Sequence, residues 1–251
     1  MDNNIKWGKV SQINSSFNIA EEANRFDVWG IVQARILSDG SGSGGFCGTA
    51  WLCKVTEECL IFATAAHVVS TELFYSVKNI PVKVYVFLSN ANGISFPIAI
   101  DNVKIYREID LAFITLPNLQ INKFHPLSLS LEEKSCDEVY NYGFPDRAQN
   151  DVKFSINLNP LSATFDRGPW FQNGNISSSC YKTTNYNDVN LVNAQCFRLN
   201  YTSESGFSGG PLFSNNTNKV IGMMTMVVPT NDGSPPTESL AISVSEIIKK
   251  V

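Results

Sequence analysis

Three short stretches of this chain carry residue types suited to nucleophilic chemistry. The segment Gly206-Phe207-Ser208-Gly209-Gly210-Pro211 sets a serine among glycines. A serine hydroxyl is a weak nucleophile at neutral pH unless a neighbouring base takes its proton as it attacks. Lacking a Cβ, Gly206 permits a backbone path that aims its own N–H and that of Ser208 at one point. An oxyanion held there would gain about 2.7–4 kcal/mol per donor. The candidate base is His67, one of only two histidines, which follows the apolar run of residues 60–66. Histidine is the side chain that exchanges protons near neutral pH. Asp110 heads a second apolar run, residues 111–116. A carboxylate there would fix the imidazole tautomer and stabilise the imidazolium. A Gly/Ser string alone describes many surface turns. The other two segments give this one its force.

In the order His67, Asp110, Ser208, the strings Thr64-Ala65-Ala66-His67, Asp110-Leu111-Ala112 and Gly206-Phe207-Ser208-Gly209-Gly210-Pro211 closely resemble those of the trypsin-like peptidase superfamily. Gly48-Thr49-Ala50-Trp51-Leu52 and Tyr142-Gly143-Phe144-Pro145 are closer in style to bacterial HtrA-type peptidases, with no PDZ domain expected within residues 1–251. The resemblance implies an all-β fold, a chymotrypsin-like double β-barrel with a short C-terminal helix. Residues 1–24 would be an extension and 25–251 the peptidase domain, with barrels at about 25–118 and 135–242. It implies a triad of His67, Asp110 and Ser208, and an oxyanion hole from Gly206 and Ser208. A specificity pocket would have its floor at Thr202 and its walls at Ser203, Thr225, Met226, Val227 and residues 239–241, with Met224 nearby. Thr225 either donates to Asp110 or is an ordinary β-branched strand residue. Nothing among these positions supplies a buried carboxylate for Arg or Lys, so the pocket is read as neutral unless Glu204 or Glu238 turns inward. Phe207 departs from the family's Asn or Asp. It cannot pair with a new N-terminal ammonium, so activation by N-terminal cleavage is not expected.

Composition sets the outer bounds. The 251 residues are 43% hydrophobic with a formal net charge of −4, enough for a core and without the basic field that nucleic acid or an anionic membrane would attract. No apolar stretch is long enough to span a bilayer, and the first residues lack the basic and then apolar regions of a signal peptide. Six cysteines allow three disulfides without fixing a pairing. In the secreted relatives a bridge reaches the residue just after the histidine, and here that residue is Val68. Cytoplasmic placement is therefore expected over secretion, with the cysteines as small buried groups. No CxxC pair occurs, so neither a metal nor another cofactor is expected. The expected partners are a protein or peptide substrate and a regulatory partner or further domains.

The elements that must place these residues read as strands and turns. Strands are expected over 26–37, 49–55, 59–64, 82–88, 94–100, 138–142, 154–165, 196–200, from 212 onward, and over 220–228. The glycine-rich run 38–45 reads as a connection, Asn92-Gly93 as a hairpin turn, and 118–134 as the crossing between barrels. Ser243-Val244-Ser245-Glu246 has the form of a capping box before a terminal helix, whose brevity suggests further sequence beyond it. His125, between Phe124 and Pro126, reads as a loop histidine. Two functions fit the whole: a serine endopeptidase, and a catalytically silent relative used for binding. Silent relatives usually lose a triad residue or an oxyanion glycine, and this chain keeps them all.

Overall fold

The structure is a computed structural model that describes residues 27–36, 42–70, 83–90, 95–117, 124–132, 137–145, 152–155, 162–165, 169–186, 189–230 and 232–251. The expected extension at 1–24 and the Asn92-Gly93 turn lie outside them. Fifteen strands are described: β1 (Val28–Ile36), β2 (Gly42–Val55), β3 (Cys59–Ala65), β4 (Lys83–Ser89), β5 (Ser95–Pro97), β6 (Val103–Tyr106), β7 (Leu111–Pro117), β8 (Glu138–Gly143), β9 (Val152–Ser155), β10 (Ser162–Phe165), β11 (Trp170–Tyr186), β12 (Val189–Leu199), β13 (Pro211–Ser214), β14 (Val220–Val227) and β15 (Ser239–Ser243). One helix follows, α1 (Val244–Ile248).

The strands make two units. The first is a seven-stranded sheet in the order β5-β4-β1-β2-β3-β7-β6, and the second a closed barrel, β11-β12-β15-β14-β13-β8. All the pairings in both are antiparallel. The two-sheet, all-β architecture read from the sequence is present. Among the described residues the first sheet ends at β5 and β6.

Several elements differ from the sequence reading. Residues 42–45, taken for a connection, belong to β2 and pair with β1 from Ile36↔Gly42 to Gln33↔Gly45. Cross-strand hydrogen bonds outweigh the low strand propensity of glycine there. The single strand read over 154–165 is instead the short hairpin β9–β10. The long strand β11 has no counterpart in the reading, because beyond Ile176 its residues are nearly all polar and alternate only between half-buried and exposed. Ser243 does cap α1, accepting from the Ser245 N–H. The reciprocal half of the capping box is absent: Glu246 accepts from the Gln195 N–H at 3.3 Å and pairs with Lys249.

One contiguous apolar core runs through both units, with Trp29, Phe62 and Trp51 in the first and Tyr140, Phe213 and Ile242 in the second. Phe46 and Phe144 stack across the seam with ring centroids 5.0 Å apart. Each fully buried aromatic or aliphatic side chain contributes about 1.5–3 kcal/mol of burial energy. The seam is therefore held by the same force as either unit, and a rigid seam is what a site shared between two sheets requires.

Candidate active site

His67 stands on the first sheet. The apolar strand β3 ends in a short 3-10 turn, Ala66–Val69, that buries Ala66, Val68 and Val69 and leaves the histidine facing out. Its backbone N–H donates to Asp110 Oδ1 at 3.0 Å. Its ring Nδ1 lies 3.0 Å from each Asp110 carboxylate oxygen. In the neutral imidazole, a proton on Nδ1 serves both oxygens and leaves Nε2 as an acceptor. Asp110 is 1% exposed and His67 19%. Thr225 Oγ1 donates to Asp110 Oδ2, the first of the two alternatives open for that residue. The carboxylate is thus buried and met by three donors, the condition under which a buried charge is tolerated.

Asp110 reaches that position through an unusual backbone. Its φ is +49°, a left-handed conformation that Asp tolerates better than most residues. The turn from β6 to β7 holds it: the Asp110 N–H donates to Arg107 O at 3.2 Å, and Asp110 O accepts from the Ala66 N–H at 3.0 Å.

Ser208 stands on the second unit, in the turn leading into β13. Gly206 and Gly209 have φ of +95° and +84°, which a side chain would make costly. The turn is tied down on several sides. The Gly209 N–H donates to Met224 O at 2.8 Å, the Phe207 N–H to Glu204 O at 3.2 Å, and the Thr49 N–H to Ser208 O at 2.9 Å. Thr49 Oγ1 donates to Gly206 O at 2.7 Å. Phe207 is fully buried, and a Cβ on Gly143 would meet its ring at 2.5 Å. Packing of Phe207 holds this turn without an ion pair from residue 207. Among the described residues the N–H groups of Gly206 and Ser208 have no hydrogen-bond acceptor. The Ser208 hydroxyl donates to Thr225 O at 3.1 Å and not to His67.

His67 and Ser208 face one cleft of about 280 Å³. Of the pocket residues expected, Ser203, Thr225, Met226 and Val227 line it, together with Met224. Thr202 does not. Its hydroxyl donates to Pro236 O at 2.6 Å and its carbonyl accepts from Gln172 Nε2 at 2.9 Å, so the expected floor is turned into the barrel wall. Ser239, expected in the wall, sits behind Ser203, accepting from its N–H at 2.7 Å. Glu238 faces away, bonded to Arg198 Nε at 2.8 Å, whereas Glu204 lines the cleft. Tyr186 and Val189, at the tip of the β11–β12 hairpin, also line it and were missed. The signal available for them was the turn-forming pair Asn187-Asp188 between them.

His125 is an exposed residue outside the cleft. The described cysteines, Cys47, Cys53, Cys59, Cys180 and Cys196, are all free thiols, and Cys136 lies outside the described residues. Burial pushes the Cys53 and Cys196 thiols up to about 12. Among the described residues no three His, Cys, Asp or Glu side chains cluster to hold a metal ion, and no helix is long and apolar enough to cross a membrane.

Comparison with known proteins gives a consistent picture. A family described as a trypsin-like peptidase domain matches residues 48–223. The chain is similar to the solved structure "HtrA-type protease AlgW with decapeptide" at 15% identity and a TM-score of 0.63, covering 92% of this chain and 64% of that one. It is also similar to "Rv3671c protease from M. tuberculosis, active form" at 18% identity and a TM-score of 0.55, covering 93% and 82%. At such identities the likeness is one of fold. The chain spans under two thirds of the length of the HtrA-type proteases it matches. No curated protein matches.

Proposed function

The chain belongs to the trypsin-like peptidase family, with the chymotrypsin-like fold that membership entails, and from that premise we propose that it is a serine endopeptidase acting through Ser208, His67 and Asp110. The observation that carries this reading is the buried Asp110 carboxylate on His67 Nδ1, with the rest of that imidazole turned to the cleft that Ser208 lines.

In the proposed cycle the Ser208 hydroxyl leaves Thr225 O and turns to His67 Nε2, which takes its proton as Oγ attacks the scissile carbonyl carbon. The carbonyl π electrons move to oxygen, and the N–H groups of Gly206 and Ser208 receive the oxyanion. Collapse of the tetrahedral species breaks the C–N bond, and His67 returns the proton to the leaving amine. Water, deprotonated by His67, then attacks the Ser208 acyl ester, and the carboxylic acid departs as the proton goes back to Oγ. Asp110 holds the imidazolium throughout and is itself held by Thr225.

Met224, Met226, Val227 and Val189 give the cleft an apolar wall. An apolar side chain seated there gains about 25 cal/mol for each Å² removed from water, which supports cleavage after an uncharged residue. The HtrA-type relative was solved with a decapeptide, which is in keeping with a peptide substrate here.

Labelling with a fluorophosphonate tests nucleophile, base and oxyanion hole together. The intact chain should label, and Ser208→Ala and His67→Ala should not. The position of the Ser208 hydroxyl on Thr225 O favours the second reading, a silent scaffold, and a folded chain that resists the probe would establish that one instead.

A further inference from the structure

The β11–β12 hairpin belongs to the closed barrel, yet near its tip it touches the turn of the other sheet that carries Asp110. Leu191 and Ile109 form an isolated antiparallel bridge, and both side chains are buried, at 0% and 5% exposure. The Val192 N–H donates to Glu108 O at 2.7 Å. That bond exists because the hairpin register shifts between Lys182↔Ala194 and Thr184↔Leu191. Val192 and Asn193 together face the single residue Thr183, the arrangement of a β-bulge. Asn193 adopts φ +49° and its N–H turns to Thr183 Oγ1 at 2.9 Å, while the Val192 N–H points out of the hairpin to Glu108.

We propose that Leu191 and Val192 are positioning residues for Asp110: the bulge grips residues 108 and 109 so that the next residue is held in its left-handed conformation, with its carboxylate on His67. The proposal rests on the reading of Asp110 as the partner of His67 in catalysis. A left-handed non-glycine residue persists only where its surroundings over-determine it. Two of the determinants are the Arg107 and Ala66 hydrogen bonds within the first sheet; the third is this grip from the second. Thr225, also from the second unit, holds the Asp110 carboxylate and not its backbone, and Lys250 Nζ with Glu108 Oε1 at 3.2 Å is a half-exposed ion pair of the kind that contributes little. The grip also lies three residues from Val189, which lines the cleft, so one hairpin both walls the substrate site and sets the acid behind the base.

Val192→Pro removes the donated N–H without taking a hydrogen bond from the hairpin ladder, and proline is tolerated at bulges. Val192→Ala keeps the N–H and is the control; the Val192 side chain is 54% exposed. Two readouts are needed, steady-state kinetics on a peptide substrate and the ¹H NMR resonance of the His67 Nδ1 proton. That proton, donated to a carboxylate, appears far downfield, and only His125 competes for its assignment. Displacement of a catalytic group by about an ångström costs on the order of 10²-fold in rate, so kcat should fall by that order with KM within twofold. The downfield resonance should move or vanish, and Val192→Ala should preserve both. A folded Val192→Pro protein with unchanged kcat and resonance overturns the proposal. If Val192→Pro does not fold, Leu191→Val decides on the same readouts: roughly a 3–10-fold loss of kcat with a shifted resonance supports the grip, and no change in either overturns it. The resonance reports the Asp110–His67 bond without turnover. A wild-type protein that shows it but neither labels nor cleaves refutes the peptidase reading and leaves the grip to be judged by the shift alone.

Discussion

Thr49 offers the sharpest single perturbation of the nucleophile turn. It is fully buried on β2, and its hydroxyl donates to Gly206 O at 2.7 Å while accepting from the Phe144 N–H at 3.0 Å. Thr49→Val replaces that hydroxyl by a methyl group of nearly the same volume, so packing is kept and the hydrogen bonds are lost. The buried Gly206 carbonyl then has no donor, at a cost of about 1–3 kcal/mol. For a chain of this size each kcal/mol lowers Tm by roughly 2–4 °C. The catalytic effect should be larger. The Thr49 bond fixes the carbonyl of Gly206, the residue whose own N–H is an oxyanion donor in our reading, and loss of one such donor lowers kcat by about 10²–10³-fold. Thermal unfolding and steady-state kinetics on one peptide substrate measure both effects, and Thr49→Ser, which keeps the hydroxyl, should restore most of kcat. A Thr49→Val protein with wild-type kcat and Tm would show that the turn is set without this bond, and the role given to Thr49 would fall.

Ser208→Ala and His67→Ala should each reduce turnover by roughly 10⁴–10⁶-fold and the double variant by little more, because residues acting as a unit are non-additive; additive losses measured on one substrate would separate their roles. Phe207→Ala should destabilise by about 3–5 kcal/mol in urea unfolding. Phe207→Asp should lower activity without creating dependence on N-terminal cleavage, and the uncleaved chain should react with the fluorophosphonate. A peptide library should show cleavage after uncharged residues; if Arg or Lys dominates, Glu204 is the carboxylate to replace, since Glu238 is bonded to Arg198. Burial raises the Asp27 carboxyl from its ordinary 3.8 to about 6, an effect His125 opposes. The folded chain therefore keeps this proton to higher pH than the unfolded chain does. The associated stability is present below about pH 4 and is lost as pH rises through 6, so Asp27→Asn should stabilise at pH 7 and lose its advantage at pH 4 in parallel urea titrations.

That His67 and Asp110 would meet, and that Ser208 would share a cleft with His67, was legible because His67 follows an apolar strand, Asp110 begins one, and Ser208 stands in a glycine turn, all patterns local in sequence. The strands β3 and β14 were legible because their apolar residues run together. The specificity wall was less so. Thr202 was expected as the floor, but its hydroxyl found Pro236 O, a partner set by tertiary contact. Tyr186 and Val189 enter the cleft through the long, polar β11–β12 hairpin, whose reach depends on a register shift that no local pattern announces. The glycine-rich start of β2 was misread because ladder bonding to β1 is invisible to propensity. Phe207, read from the sequence as unable to form an ion pair, is fully buried, a role its aromatic side chain fits.

Because His67 and Asp110 come from one sheet and Ser208 and Thr225 from the other, the proposed mechanism can run only while the two halves are docked. Among the cross-links nearest the nucleophile are Thr49 to Ser208 and Gly206, and Thr225 to Asp110. An excursion that parts the seam separates base from nucleophile before either sheet need unfold, and partial openings of this kind cost less than global unfolding. A peptidase at high concentration is its own most abundant substrate, and loosened chains are the ones most readily cut. On the proposed mechanism the loosened chain is also the one that could not cut, so damage by mutual digestion would be limited to attack by intact molecules on opened ones and would not spread among the opened ones themselves.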